Sequence, residues 1–89
     1  MKADGTHEYI EPANGKEWQL GELQKLVGGL IETFPTPKED VILVLHEEGK
    51  LTVSPTLNME ATVLVREFLM DNDWIAGDAV VVTKKSLGE

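Results

Sequence analysis

Val41-Ile42-Leu43-Val44-Leu45 leaves this chain the fewest options. A strand with one wet face alternates apolar and polar residues. Five apolar residues in a row leave no such face, so this run must be a central strand covered on both sides. Glu47-Glu48-Gly49 turns it, and Lys50 to Ser54 is expected to return antiparallel until Pro55, which lacks a ladder donor. The rest of the chain must supply two covers, from its own helices or from a partner subunit.

A helix is expected over about Leu20 to Val27. Leu20, Leu23 and Val27 recur at helical spacing with Leu26 beside them, Glu22 lies toward the positive end of the dipole and Lys25 toward the negative end. Gly28-Gly29 stops it, since glycine takes a left-handed cap without a Cβ clash. A glycine pair can also bring backbone N–H groups to a phosphate, but the longer glycine-rich spacing is missing and the cap reading is the stronger. Leu30 to Phe34 then reads as a strand broken by Pro35-Thr36-Pro37. A second helix is expected from an Asn58 N-cap to about Met70, with Ala61, Leu64, Val65 and Phe68 in period. The last strand begins near Trp74 or Ile75, is interrupted at Gly77-Asp78 and runs on through Thr83. Upstream, Ala13-Asn14-Gly15-Lys16 suits a type I′ turn pairing Glu17–Gln19 with Tyr9–Glu11. The expected fold is therefore α+β, a mainly antiparallel sheet with two helices in the order β-β-α-β-β-β-α-β. It forms a single small domain over residues 1–89, with loose tails at 1–6 and 84–89.

Sixteen acidic against eight basic residues give a net charge of −8. That field repels phosphate backbones, and Lys16, Lys25, Lys38, Lys50, Arg66, Lys84 and Lys85 form no basic face, so general nucleic-acid binding is not expected. The acids are dispersed, which suits solubility better than a DNA decoy. There is no cysteine, hence no disulfide or thiolate site. No membrane span and no leader peptide are read, and a cytoplasmic setting is expected.

The segments Leu23-Gln24-Lys25-Leu26-Val27-Gly28-Gly29-Leu30-Ile31-Glu32, Glu47-Glu48-Gly49-Lys50-Leu51, Pro55 with Asn58, and Ile75-Ala76-Gly77-Asp78-Ala79-Val80-Val81 carry a resemblance. In order and spacing they are similar to a small α+β domain family, of unknown function, found in phages, plasmids and other mobile elements. The similarity covers about residues 8 to 83. The family pattern usually has asparagine where this chain has His46, so a ligand contact there would differ in chemistry or pH dependence. The resemblance supplies no catalytic residues.

Candidate ligand-binding residues are Ser54, Thr56, Asn58, His46, Lys50, Arg66 and Trp74. Ser54, Thr56 and Asn58 lead into the second helix, whose free N–H groups suit an anion, although plain capping explains them more simply. Arg66 lies two turns further along. An imidazole can serve in proton transfer, but the acids nearest His46 in sequence, Glu47 and Glu48, sit in a turn, so a locally bonded strand-end histidine is the stronger reading than a catalytic one. Glu47, Glu48 and Lys50 form a polar rim or a solvated hairpin tip. Trp18, Trp74 and Tyr9 could stack on a base, with packing the stronger reading for each. No catalytic set, metal cluster or cofactor motif is read, and none of the three is expected.

Two functions follow as expectations. The first is a non-enzymatic phage or mobile-element accessory protein, a homo-oligomer that sequesters a nucleotide-derived immune signal such as a cyclic nucleotide or a cyclic ADP-ribose relative. The alternative is an acidic protein-interaction factor acting on a DNA-handling protein.

Overall fold

The computed structural model of the chain describes residues 1–51 and 55–87. The elements run α1 (Leu20–Val27), β1 (Ile31–Pro35), β2 (Val41–His46), α2 (Met59–Leu64) and β3 (Val80–Thr83), with 3-10 turns at Gly49–Leu51, Arg66–Phe68 and Lys85–Leu87. The sheet has the order β1-β2-β3 and both pairings are antiparallel. Thr33 lies opposite Val44, and Leu43 opposite Val81.

β2 is the middle strand, and each of its faces is covered from within the chain. Leu43 and Leu45 pack with Ala61 and Val65 from α2 and its extension, and with Ile75 and Ala79. Val44 packs on the other side with Leu23 and Val27 of α1 and with Val80 and Val82 of β3. Alternation of Cβ direction along the strand puts consecutive residues into different halves of the core. Leu43, Val44 and Val65 are fully buried. The two helices thus supply both covers that the apolar run demands.

α1 has the expected bounds. Its N-terminus is closed by the Glu22 carboxylate, which accepts the Gln19 N–H at 3.1 Å and the Ala13 N–H at 2.9 Å. Gly28 ends it in the left-handed conformation, φ 92°, and its N–H returns to the Gln24 carbonyl. Leu20, expected on the buried stripe, is mostly exposed.

The expected six-strand order is corrected to three strands among the described residues. The upstream hairpin does not form. A type I′ turn needs positive φ at both central residues, and of the Asn14-Gly15 pair only Gly15 has it. The Asn14 side chain instead accepts the N–H groups of Lys16 and Glu17, each at 2.9 Å, a local turn that leads the chain away from a ladder. Trp18 then bonds through its N–H to the Ser86 carbonyl at 2.8 Å. The return strand from Lys50 is replaced at its start by the 3-10 turn Gly49–Leu51, and Thr52, Val53 and Ser54 lie outside the described residues. The second helix is shorter than expected, because at Val65 the backbone leaves helical geometry (φ −109°, ψ 14°) before the 3-10 turn. The β-branched residues Thr62, Val63 and Val65 lower helix propensity there. Ile75 and Ala76 do not begin β3. Ala76 bridges Leu57 instead.

Residues 1–6, expected as a loose tail, are held at their start. The Met1 backbone nitrogen donates to the Ala79 carbonyl at 3.0 Å and the Met1 carbonyl accepts the Ala79 N–H at 2.9 Å. The Asn58 amide also donates to that Met1 carbonyl, at 2.9 Å. Among the described residues, no helix is long and apolar enough to cross a membrane.

Candidate functional site

Where β2 ends and the 3-10 turn begins, His46, Glu47, Gly49, Lys50 and Leu51 form one wall of a cavity of about 410 Å³. Glu32 and Phe34 of β1 form a second, and Asp73 to Ala76 close the third. Two glycines make this assembly possible. The Gly28 cap turns the chain out of α1 into β1. Gly29 serves a different purpose, because a Cβ there would fall on the His46 imidazole. The ring therefore lies in space that only glycine leaves open. Gly49 is also tightly packed, though less so: a Cβ on it would stand 2.9 Å from the Ala76 carbonyl oxygen.

Lys50 is the electrostatic centre of the cavity. Its ammonium pairs with the Asp73 carboxylate and lies over the Trp74 ring, 5.1 Å from the centroid. The Lys50 hydrogen bond, together with the Trp74 N–H at 2.8 Å, holds the Asp73 carboxyl below the usual carboxylate range. The pair is more than a third exposed on each side chain, so screening keeps its contribution to stability under about 1 kcal/mol. It orients Lys50 more than it stabilises the fold. Glu32 and Glu47 add two more carboxylates to the walls. The His46 ring has no hydrogen-bond partner among the described residues.

Three of the candidates read from sequence, His46, Lys50 and Trp74, meet here. The others do not. Ser54 lies outside the described residues. Thr56 is exposed and its carbonyl accepts the Gly77 N–H at 2.8 Å. Arg66 is exposed on the 3-10 turn after α2, apart from the cavity. Asn58 is 1% exposed and fully engaged inside the fold. Its side-chain oxygen accepts the Ala61 N–H at 3.0 Å, and its amide donates to the Met1 and Gly77 carbonyls at 2.9 Å each. It is a structural hub rather than a wall of the cavity. Of the aromatic residues, Trp18 packs against the α1 side of the core, while Tyr9 is 89% exposed.

Sequence reasoning missed Glu32 and Asp73. Glu32 stands inside the segment that carries the resemblance, but its strand register was needed to aim it. Asp73 is 23 positions from Lys50, and nothing local announces the pairing.

The fit of Gly29 to His46 gives a direct expectation. Gly29→Ala forces the imidazole out of its seat, at a cost of about 1–2 kcal/mol. His46→Ala in the same chain removes the collision, so the double variant recovers most of that loss. Urea unfolding of the four proteins in a double-mutant cycle measures the coupling.

No curated protein and no solved structure matches the chain. A family model matches residues 4–89, and the chain belongs to that family, Domain of unknown function (DUF3846).

Proposed function

We propose that this chain is a non-enzymatic binding protein that holds a small nucleotide-derived ligand in the cavity between His46, Lys50 and Trp74. One observation carries the reading. The three long segments that gave the sequence resemblance all reach this cavity: Glu32 from the first, Glu47, Gly49, Lys50 and Leu51 from the second, Ile75 and Ala76 from the third. Packing alone does not require distant segments to converge on an open hollow.

The chemistry of the walls suits such a ligand in parts. A base stacks on Trp74, which is half-buried and already faces a cation. Its exocyclic amine and the ribose hydroxyls donate to Glu32 and Glu47. A phosphate takes Lys50 in competition with Asp73. Because these carboxylates outnumber the one lysine, the cavity favours ligands with few phosphates over polyphosphates. The protein acts in the host cytoplasm as a phage or mobile-element accessory factor and sequesters an immune signal as an oligomer; the resemblance to mobile-element domains supports that setting.

Calorimetry against cyclic dinucleotides, cyclic ADP-ribose species and mononucleotides tests the reading. A true ligand at about 100 times its Kd adds about 2.7 kcal/mol of stability. Trp74→Ala and Lys50→Ala are expected to weaken binding at least tenfold without unfolding the chain. Folded protein that binds none of these compounds overturns the proposal. The acidic alternative has one observation behind it, the exposure of Leu51 (80%) and Met70 (83%) on a chain of charge −8. It predicts capture of a basic partner that salt releases.

A further inference from the structure

The outer edge of β1 is open. The Glu47 N–H donates to the Leu30 carbonyl at 2.8 Å, which fixes the phase of the ladder. Glu32 and Phe34 then direct their backbone groups to Leu45 and Leu43 of β2, and Ile31, Thr33 and Pro35 direct theirs outward. Among the described residues nothing accepts or donates at the outward groups of Ile31 and Thr33. β1 is short and ends in Pro35, but it carries no lysine and no bulge along Ile31 to Phe34, and the partly exposed Leu30 and Phe68 flank it.

We propose that β1 is the interface between two copies of this chain, paired antiparallel about a two-fold axis through Thr33. The register follows from the residues. With the axis on Thr33, two N–H···O bonds form between the Thr33 residues, and each Ile31 N–H meets the partner copy's Pro35 carbonyl. Proline falls at the end of the ladder, where its missing donor matters least. An axis on Glu32 would set two carboxylates face to face in a close, non-hydrogen-bonded pair. An axis on Phe34 would leave Ile31 without an opposite residue.

Charge selects a second copy over a foreign strand. At the Ile31 end of β1 the neighbouring cavity presents Glu32 and Glu47. At the Pro35 end a groove presents Lys38 and Lys84, with Glu39 beside them. Antiparallel pairing lays the acidic end of each copy over the more basic end of the other. Glu32 and Phe34 also wall the ligand cavity, so the partner copy borders that site. This gives the oligomer of the proposed function its interface and rests on that part of the reading alone.

Sedimentation equilibrium of the ligand-free protein tests it. A dimer is expected, and it weakens at high salt as the attraction between the acidic end of one copy and the more basic end of the other is screened. Thr33→Pro removes the central outward donor and spares the β1–β2 ladder, so a folded monomer is expected. The chain has no cysteine, which permits a second readout. Paired Thr33 residues would bring their Cα atoms about 5.5 Å apart, within disulfide reach. Thr33→Cys should therefore cross-link under mild oxidation at least tenfold faster than the exposed control Tyr9→Cys. A monomeric wild-type chain, a Thr33→Pro protein that remains dimeric, or equal cross-linking rates would each overturn the interface. Ligand binding by a monomer would leave the cavity reading standing.

Discussion

Asn58→Ala is expected to remove about 3–5 kcal/mol of stability. The alanine deletes an N-cap acceptor, worth about 1 kcal/mol. It also strands the Gly77 carbonyl beside a side chain that is 1% exposed, at about 1–3 kcal/mol for a buried group left unpaired, and removes one of the two donors to the Met1 carbonyl, at about 1 kcal/mol, while Ala79 still donates to it. A domain of this size holds about 5–15 kcal/mol in total, and Tm falls by about 4–8 °C for each kcal/mol lost. Calorimetry should therefore show a drop of at least about 12 °C. Asn58→Asp keeps the acceptor for Ala61 but sets a buried carboxylate oxygen against the Met1 and Gly77 carbonyls, so it is expected to be no more stable than alanine. Thr56→Ala, on the exposed approach to the same helix, should stay within about 0.5 kcal/mol. A chain in which Asn58→Ala melts normally would mean that this residue is not the hub described above.

Leu43→Ala is expected to cost about 3–5 kcal/mol, and Val44→Ala about 2 kcal/mol. The interest lies in having both. These neighbours point to opposite faces of β2 and are each fully buried, one against α2 and the other against α1. A strand covered on one side only would tolerate one of the two changes. Urea denaturation at low protein concentration is the appropriate measurement, since it asks whether both covers come from within one copy. Wild-type stability in either variant would show that one helix does not cover its side.

The parts of the fold that sequence reveals are those in which neighbours along the chain decide the outcome. The run Val41–Leu45 states its own burial. The α1 periodicity and Gly28 set the helix and its end. The parts it conceals depend on side chains reaching across the fold or on choices between competing turns. Asn14-Gly15 carries the composition of a tight hairpin, yet the Asn14 side-chain oxygen accepts the Lys16 and Glu17 N–H groups and no ladder forms there. Gly28 and Gly29 look equivalent in a sequence, and only one of them caps the helix. The other exists for an imidazole 17 positions later, on a strand whose register must be known first. The candidate site follows the same division. His46, Lys50 and Trp74 were each identifiable as chemistry-bearing residues, but their meeting point, and the carboxylates Glu32 and Asp73 beside them, required the sheet order and the path back from α2. Asn58 drew attention for the right reason, its capping chemistry, and that chemistry is spent inside the protein.

The stitch between Met1 and Ala79 has a kinetic meaning. It joins residues 78 positions apart, so nearly the whole polypeptide must be closed into a loop before it can form. Such closures follow, rather than nucleate, collapse of the local hairpin β1–β2. The stitch therefore belongs on the native side of the folding barrier: its strength sets how quickly the assembled domain comes apart and leaves the rate of assembly nearly untouched.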